Sequence, residues 1–154
     1  MKRRDFLKST GAVAGATVLS GMTVARGAQA AGDDLIKIAL VGCGGRGRGA
    51  VQDRLAASNL LKKEGYGDNI KIVAIADAFE GNAKSAKEAF EATEDDRFDI
   101  GDRVFWGFGA YKKAIDECDS VIIATAPGFR PVHFSYAVEK GKHVFMEKPC
   151  AVDA

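Results

Sequence analysis

The chain has only three cysteines, Cys43, Cys118 and Cys150, an odd number with neither CxxC spacing nor a nearby histidine pair. Such spacing defines no disulfide framework and no zinc site, so the three read as reduced packing or loop residues. There is no uninterrupted apolar run of the roughly 18 residues that a membrane-spanning helix needs. There is also no stripe of Lys and Arg interleaved with aromatics, and the formal net charge is only +1. Even that small excess is local. Lys2, Arg3, Arg4, Lys8 and Arg26 lie in the first 30 residues against a single acid, Asp5. From Ala31 onward 17 basic residues face 20 acidic ones, so nothing electrostatic draws the chain to nucleic acid. What is present, 47% hydrophobic and 28% charged residues among 154, is the composition of one soluble globular domain.

Residues 1 to 30 have the layout of an export signal: a basic start, a weakly apolar middle from Gly11 to Val24, and the small-residue site Ala28-Gln29-Ala30. They are set apart from the fold, which leaves residues 31 to 154 as the domain. The start, Arg3-Arg4-Asp5-Phe6-Leu7-Lys8, resembles the twin-arginine signal pattern, with Lys2 where a Ser or Thr usually precedes the arginine pair. The Gly- and Ala-rich middle and the extra Arg26 suit that route. The competing readings are an amphipathic cytosolic helix or an uncleaved anchor, for which the apolar stretch is short and broken by glycine. The resemblance implies export of a folded protein to the periplasm, its cofactor already loaded, with no stable membrane anchor after cleavage.

Beyond the acidic joint Asp33-Asp34, apolar β-branched runs alternate with helix-like segments. Ile36 to Val41, Lys71 to Ala76, Arg103 to Trp106, Ser120 to Thr125 and His143 to Met146 read as strands. Ala50 to Lys63, Gly81 to Thr93, Tyr111 to Glu117 and Pro131 to Lys140 read as the helices between them. Gly65-Tyr66-Gly67 and Gly141 read as stops. In the second helix Ala83, Ala86, Ala89 and Phe90 fall at helical spacing. This alternation predicts an α/β fold, a Rossmann-like doubly wound parallel sheet with right-handed crossovers.

Gly42-Cys43-Gly44-Gly45-Arg46-Gly47 fits G-x-G-x-x-G directly after the first strand and before the first helix. In that context the first glycine allows the turn, the second lets backbone approach a pyrophosphate, and the third lets the helix pack close to the strand. The second strand closes with Asp77, whose carboxylate can accept hydrogen bonds from ribose hydroxyls and repel a 2′-phosphate, which favours NAD. Asp77 lies 30 residues beyond Gly47, against the usual ~20, and the Lys62 to Asn69 loop accounts for the excess. A helix N-cap or solvated turn acid is the alternative reading of Asp77. Arg46 and Arg48 are alternative partners for a 2′-phosphate, and NADP stays open.

From Ile36 to Ala154 the chain resembles the Gfo/Idh/MocA oxidoreductases, particularly the twin-arginine-exported ones. Three segments carry the resemblance: Val41 to Gly47; Ala124-Thr125-Ala126-Pro127 with His133 following; and Gly141-Lys142-His143-Val144-Phe145-Met146-Glu147-Lys148-Pro149. The Glu-Lys-Pro closing the fifth strand is the specific one. The resemblance implies that Thr125, Ala126 and Pro127 line the cofactor and that Glu147 and Lys148 sit near the nicotinamide. Lys148 would be the catalytic group, hydrogen-bonding a sugar, cyclitol or polyol hydroxyl as hydride leaves the carbon. His133 is either a cofactor contact or a packing residue, and His143 reads as structural.

In this family a second, α+β half supplies substrate and oligomer contacts. It is absent from these 154 residues, so the chain is expected to be either the front of a longer homo-oligomeric protein or a stand-alone binding domain, with apolar surface uncovered near the fifth strand. Three functions compete: an NAD(P)-dependent oxidoreductase, a relative that uses NAD transiently to cleave glycosidic bonds, and a nucleotide-binding module without catalysis. A methyltransferase also places a glycine loop and an acid after successive strands, but the Glu-Lys-Pro end argues against it.

Overall fold

The computed structural model describes residues 35–65 and 69–153. The expected signal peptide, the Asp33-Asp34 joint, and Tyr66 and Gly67 of the expected stop lie outside the described residues. Among the described residues five strands and four helices alternate in the order β1 (Ile36–Val41), α1 (Gly45–Lys63), β2 (Ile70–Asp77), α2 (Glu80–Glu91), β3 (Val104–Trp106), α3 (Ala110–Asp116), β4 (Ser120–Ile123), α4 (Arg130–Glu139) and β5 (His143–Met146). A single turn of 3-10 helix, Pro127–Phe129, leads into α4.

The strands form one sheet in the order β3-β2-β1-β4-β5, and every pair is parallel. Ile36 lies opposite Ile70, Ile38 opposite Ser120, and Ser120 opposite His143. A register shift between Ile38 and Ala39 lets β1 follow the longer β2. The β1–β4 neighbourhood is where the winding reverses, and it opens a crevice at the carboxyl ends of the strands.

Alternation along the strands sorts the core into two layers. On one face Ile38, Leu40, Ile72, Ile75 and Ile122 pack against Val51 and Leu55 of α1 and Ala86 and Phe90 of α2. On the other Ala39, Val41, Val73, Val121 and Ile123 pack against Ala114 and Ile115 of α3 and Ala137 of α4. Helices on both faces make the doubly wound fold read from the sequence. Ala89, grouped with the buried face of the second helix by its spacing, is exposed.

The largest departure from the sequence reading is α1, which begins at Gly45 rather than Ala50. The 30-residue spacing from Gly47 to Asp77 is thus filled mainly by α1 up to Lys63 and by the eight-residue β2. At the other edge, β5 alternates between exposed and half-buried residues, and Phe145 is 52% exposed. The apolar surface expected near the fifth strand is therefore present, with Phe134 and Val138 of α4 also exposed.

Phe90 is buried and stacked on Phe98, ring centroids 4.7 Å apart. Phe90→Ala is expected to destabilise the domain by about 3–5 kcal/mol, the range for truncating a core phenylalanine. Urea unfolding followed by circular dichroism checks this.

Candidate functional site

The turn after β1 is built on glycine for two separate reasons. Gly42 has φ +99°, and a Cβ there would lie 2.7 Å from the Ala124 carbonyl carbon and the Thr125 nitrogen at the end of β4. A Cβ on Gly47 would overlap the Gly42 carbonyl oxygen and come within 3.2 Å of Leu40 Cδ1. The first glycine therefore permits the bend beside β4, and the third permits α1 to start against β1. Gly44 and Gly45 differ, since a Cβ on either meets no atom within 4 Å. Their open side faces away from the protein, and Gly44 lines the adjoining cleft.

Helix α1 starts at Gly45 with no acidic residue in its first turn and no side-chain cap on Gly44. The first N–H groups of a helix have no intrahelical acceptor, and they carry the positive end of the helix dipole. A pyrophosphate is the kind of group that such a turn accommodates.

Asp77 holds this turn from β2. Its Oδ2 accepts the Cys43 N–H at 2.7 Å, and Oδ1 accepts the Phe79 N–H at 2.9 Å and the Asn82 side-chain amide at 3.2 Å. The carboxylate thus joins the ends of β1 and β2 at the cleft wall, and Oδ2, which accepts a single bond, keeps lone-pair capacity for a further donor. The Cys43 side chain is buried beneath the turn, with Sγ donating to the Ala76 carbonyl at 3.4 Å. Burial, with the Asp77 charge nearby, pushes its thiol up to about 12, so it stays protonated and is no nucleophile.

The cleft itself has a volume of about 440 Å³. Gly42, Gly44, Asp77, Thr125, Ala126 and His133 line it, together with Phe79, Phe108, Tyr111, Phe129 and Val132. A flat aromatic base and a ribose are well served by such a mostly apolar slot with one carboxylate. Phe79 and Phe108 are 69% and 76% exposed despite their size. Sequence reading missed these aromatics. They follow the ends of β2, β3 and β4, where a parallel sheet binds ligands, and that position was the available signal.

His133 is buried, its Nδ1 is 3.1 Å from Thr125 Oγ1, and its ring lies 4.3 Å from that of Tyr111. It is both a cleft-lining and a packing residue. Burial pulls its pKa down, which favours the neutral imidazole.

Cys43, Gly45, Arg46, Gly47, Pro127, Glu147 and Lys148 do not line the cleft. Glu147 and Lys148 follow β5 at the same edge of the sheet. Glu147 is buried and accepts a short charged hydrogen bond from Arg46 Nη2, while Arg46 Nη1 lies 3.7 Å from Asp53. The Arg46 guanidinium holds the Glu147 carboxyl below its ordinary range. Arg48 is also engaged, its Nε donating to the Cys43 carbonyl at 3.0 Å. Both arginines thus hold protein groups, while Arg46 keeps 57% of its side chain exposed.

The exposed Lys148 is joined by a cis peptide to Pro149. Beside it lies a residue the sequence did not single out. Arg130, at the start of α4 and 6% exposed, donates from Nε to the Thr125 carbonyl at 2.7 Å. Its Nη1 donates to the carbonyls of Glu147 at 2.8 Å and Pro149 at 2.5 Å.

A parallel doubly wound sheet, a glycine turn opening a helix at the switch point, and an acid closing the second strand define a dinucleotide-binding domain. The comparisons with known proteins narrow this class. Residues 36–154 match the profile described as "Oxidoreductase family, NAD-binding Rossmann fold", and the chain belongs to this Gfo/Idh/MocA family. Residues 1–20 match the twin-arginine translocation signal, which directs export across the membrane. No curated protein matches the sequence.

Among solved structures, myo-inositol dehydrogenase from Lactobacillus casei, in complex with NAD(H) and myo-inositol, is similar with a TM-score of 0.57 at 22% identity, over 77% of this chain and 30% of that one. An NAD-binding oxidoreductase from Klebsiella pneumoniae gives 0.59 at 21% identity, over 77% and 28%. A 3-ketoreductase from Actinomadura kijaniata, in complex with TDP-benzene and NADP, gives 0.54 at 23% identity, over 78% and 32%. The chain thus spans about 30% of the length of the first of these structures.

Because His133 is held neutral, the fold loses stability as pH falls below the ordinary histidine pKa of about 6.5, where the unfolded chain gains a proton that the folded one resists. Urea midpoints measured between pH 7.5 and 5 are expected to fall, and to fall less in His133→Gln. Gly47→Ala is expected to cost about 1–3 kcal/mol or more through overpacking against the Gly42 carbonyl, whereas Gly44→Ala leaves the unfolding midpoint nearly unchanged.

Proposed function

We propose that this chain is the cofactor-binding part of an exported oxidoreductase that moves hydride between a nicotinamide cofactor and a sugar, cyclitol or other polyol. The observation that supports this best is the meeting of the Gly42–Gly47 turn, Asp77 and the Glu147–Lys148 segment along one edge of a parallel sheet. NAD, when bound, supplies the hydride chemistry. The residues of the chain do the rest. The Gly44–Gly45 face and the first N–H groups of α1 hold the pyrophosphate, Asp77 accepts from the ribose, and Phe79 and Phe108 flank the base. Thr125, Ala126 and His133 form the wall toward the nicotinamide. Lys148 donates a hydrogen bond to the substrate oxygen and stabilises negative charge on it as the C–H bond breaks.

Asp77 at the ribose end favours NAD over NADP. On this reading residues 1–30 are removed as a signal peptide, residues 31–154 are the mature domain, and substrate and partner-subunit contacts come from a further α+β half in a homo-oligomer. The full-length protein would then resemble in activity the dehydrogenases whose fold it shares.

Three measurements test the proposal. Gly44→Val fills the open face of the turn from a Cβ that meets no protein atom within 4 Å, so it is expected to keep the fold and lose NADH binding; retained affinity in a titration of NADH fluorescence would sink the cofactor assignment. NADH is expected to bind at least about tenfold more tightly than NADPH, the order of one repelled phosphate charge. In the full-length protein Lys148→Met is expected to lower kcat about 100-fold, in the range for losing one acid-base group, with NADH affinity little changed. Cofactor binding without turnover on a polyol panel would instead favour a non-catalytic module. Substrate cleavage without net NADH formation would favour the glycosidase-type reaction.

A further inference from the structure

We propose that Arg130 is a positioning residue for Lys148, a clamp that fixes the backbone on both sides of the lysine relative to the end of β4. Its guanidinium is buried and spans the Thr125 carbonyl after β4 and the Glu147 and Pro149 carbonyls after β5. Glu147 and Pro149 are the two neighbours of Lys148 in the chain, so one planar group holds a carbonyl on each side of the exposed lysine. Two further ties hold the same segment. The Glu147 N–H continues the sheet by donating to the Ile123 carbonyl at 3.0 Å, and the Glu147 carboxylate is held from the glycine turn by Arg46.

The choice of arginine follows from the geometry. Three carbonyls belonging to two loops must be met from one direction, and only a rigid fork of donors in a plane reaches them together. A lysine keeps the charge but brings a single point of donation, so it cannot hold both loops at fixed separation. The charge has a second effect. Carbonyl oxygens converging on one point repel each other, and the guanidinium is what makes their convergence favourable. Lys148 then leaves the segment from a fixed origin although its own side chain is free in solvent. A catalytic amine needs such a fixed origin, because displacement of about 1 Å can cost a hundredfold in rate.

This inference rests on the reading of Lys148 as the group that contacts substrate, and the test separates the two. Hydrogen–deuterium exchange of full-length Arg130→Lys is compared with the parent, both loaded with NADH. Exchange in the peptide covering residues 147–153 is expected to rise about tenfold while β1 and β2 stay protected. Unchanged exchange in that peptide overturns the clamp. In steady-state kinetics Arg130→Lys is expected to lower kcat about 10- to 100-fold with the NADH dissociation constant within about threefold of the parent. The loss is expected to vanish in a Lys148→Met background, because a residue acting through Lys148 adds nothing once the amine is gone. Multiplicative losses in the double variant would show that Arg130 is only a structural part of the domain and overturn its positioning role. Faster exchange with kcat intact keeps the clamp and overturns Lys148 as the catalytic group. Should Arg130→Lys fail to fold, ¹⁵N spectra of the parent give a direct reading. A guanidinium pinned on three carbonyls shows separate, slowly exchanging Nη signals for Arg130, and averaged signals overturn the proposal.

Discussion

The contact between Gly47 and the Gly42 carbonyl oxygen sets where everything else can stand. With any larger side chain at position 47, α1 must retreat from β1, since the oxygen already occupies the place of a Cβ. The close approach lets the helix begin three residues after the first glycine and aim its N-terminus along the strand ends. Asp77 then locks the intervening Cys43 N–H, and Arg48 takes the Cys43 carbonyl. Both backbone groups of a residue in the bend are satisfied by side chains, so the turn keeps its shape without help from a ligand. Such preorganisation lowers the ordering cost of binding.

Much of this was legible in the sequence. Ile36 to Val41 and His143 to Met146 have the same limits in the structure as in the reading, because short β-branched runs closed by polar residues or glycine are strong strand signals. The first turn of α1 was not legible. Gly45-Arg46-Gly47-Arg48-Gly49 has a poor intrinsic preference for helix, each glycine costing about 1 kcal/mol relative to alanine. Packing against β1 overrides that preference, so the helix extends back through a segment that propensity alone assigns to a loop.

The side chains that hold the site were read less well than its backbone. Asp77 was recognisable from its place after β2, but its hold on Cys43 requires the turn to be folded. Arg46 and Arg48 read as candidate phosphate ligands, and each also bonds the protein, Arg46 to Glu147 and Arg48 to the Cys43 carbonyl. Arg130 gave no signal at all. An arginine between Phe129 and Pro131 looks like a solvated residue at a helix start, and only the topology that sets β4 beside β5 brings three carbonyls to it. Lys148 was singled out by resemblance, since nothing in its local sequence separates it from other lysines at strand ends. Arg46, Arg48 and Arg130 thus serve this domain as internal ties.

The buried cysteines bear on the voyage that the twin-arginine signal implies. Cys43 and Cys118 are buried, and burial drives their thiols up to about 12 and 11, so almost none of either is thiolate. Oxidation proceeds through the thiolate. A protein threaded across the membrane unfolded would present both sulfurs to an oxidising compartment before any core formed, with Cys150 available as a mispairing partner. A domain that closes first carries its two vulnerable sulfurs sealed inside, one of them directly beneath the cofactor turn. The route of export and the burial of Cys43 therefore answer the same chemical hazard, and the fold serves as its own protection against oxidation.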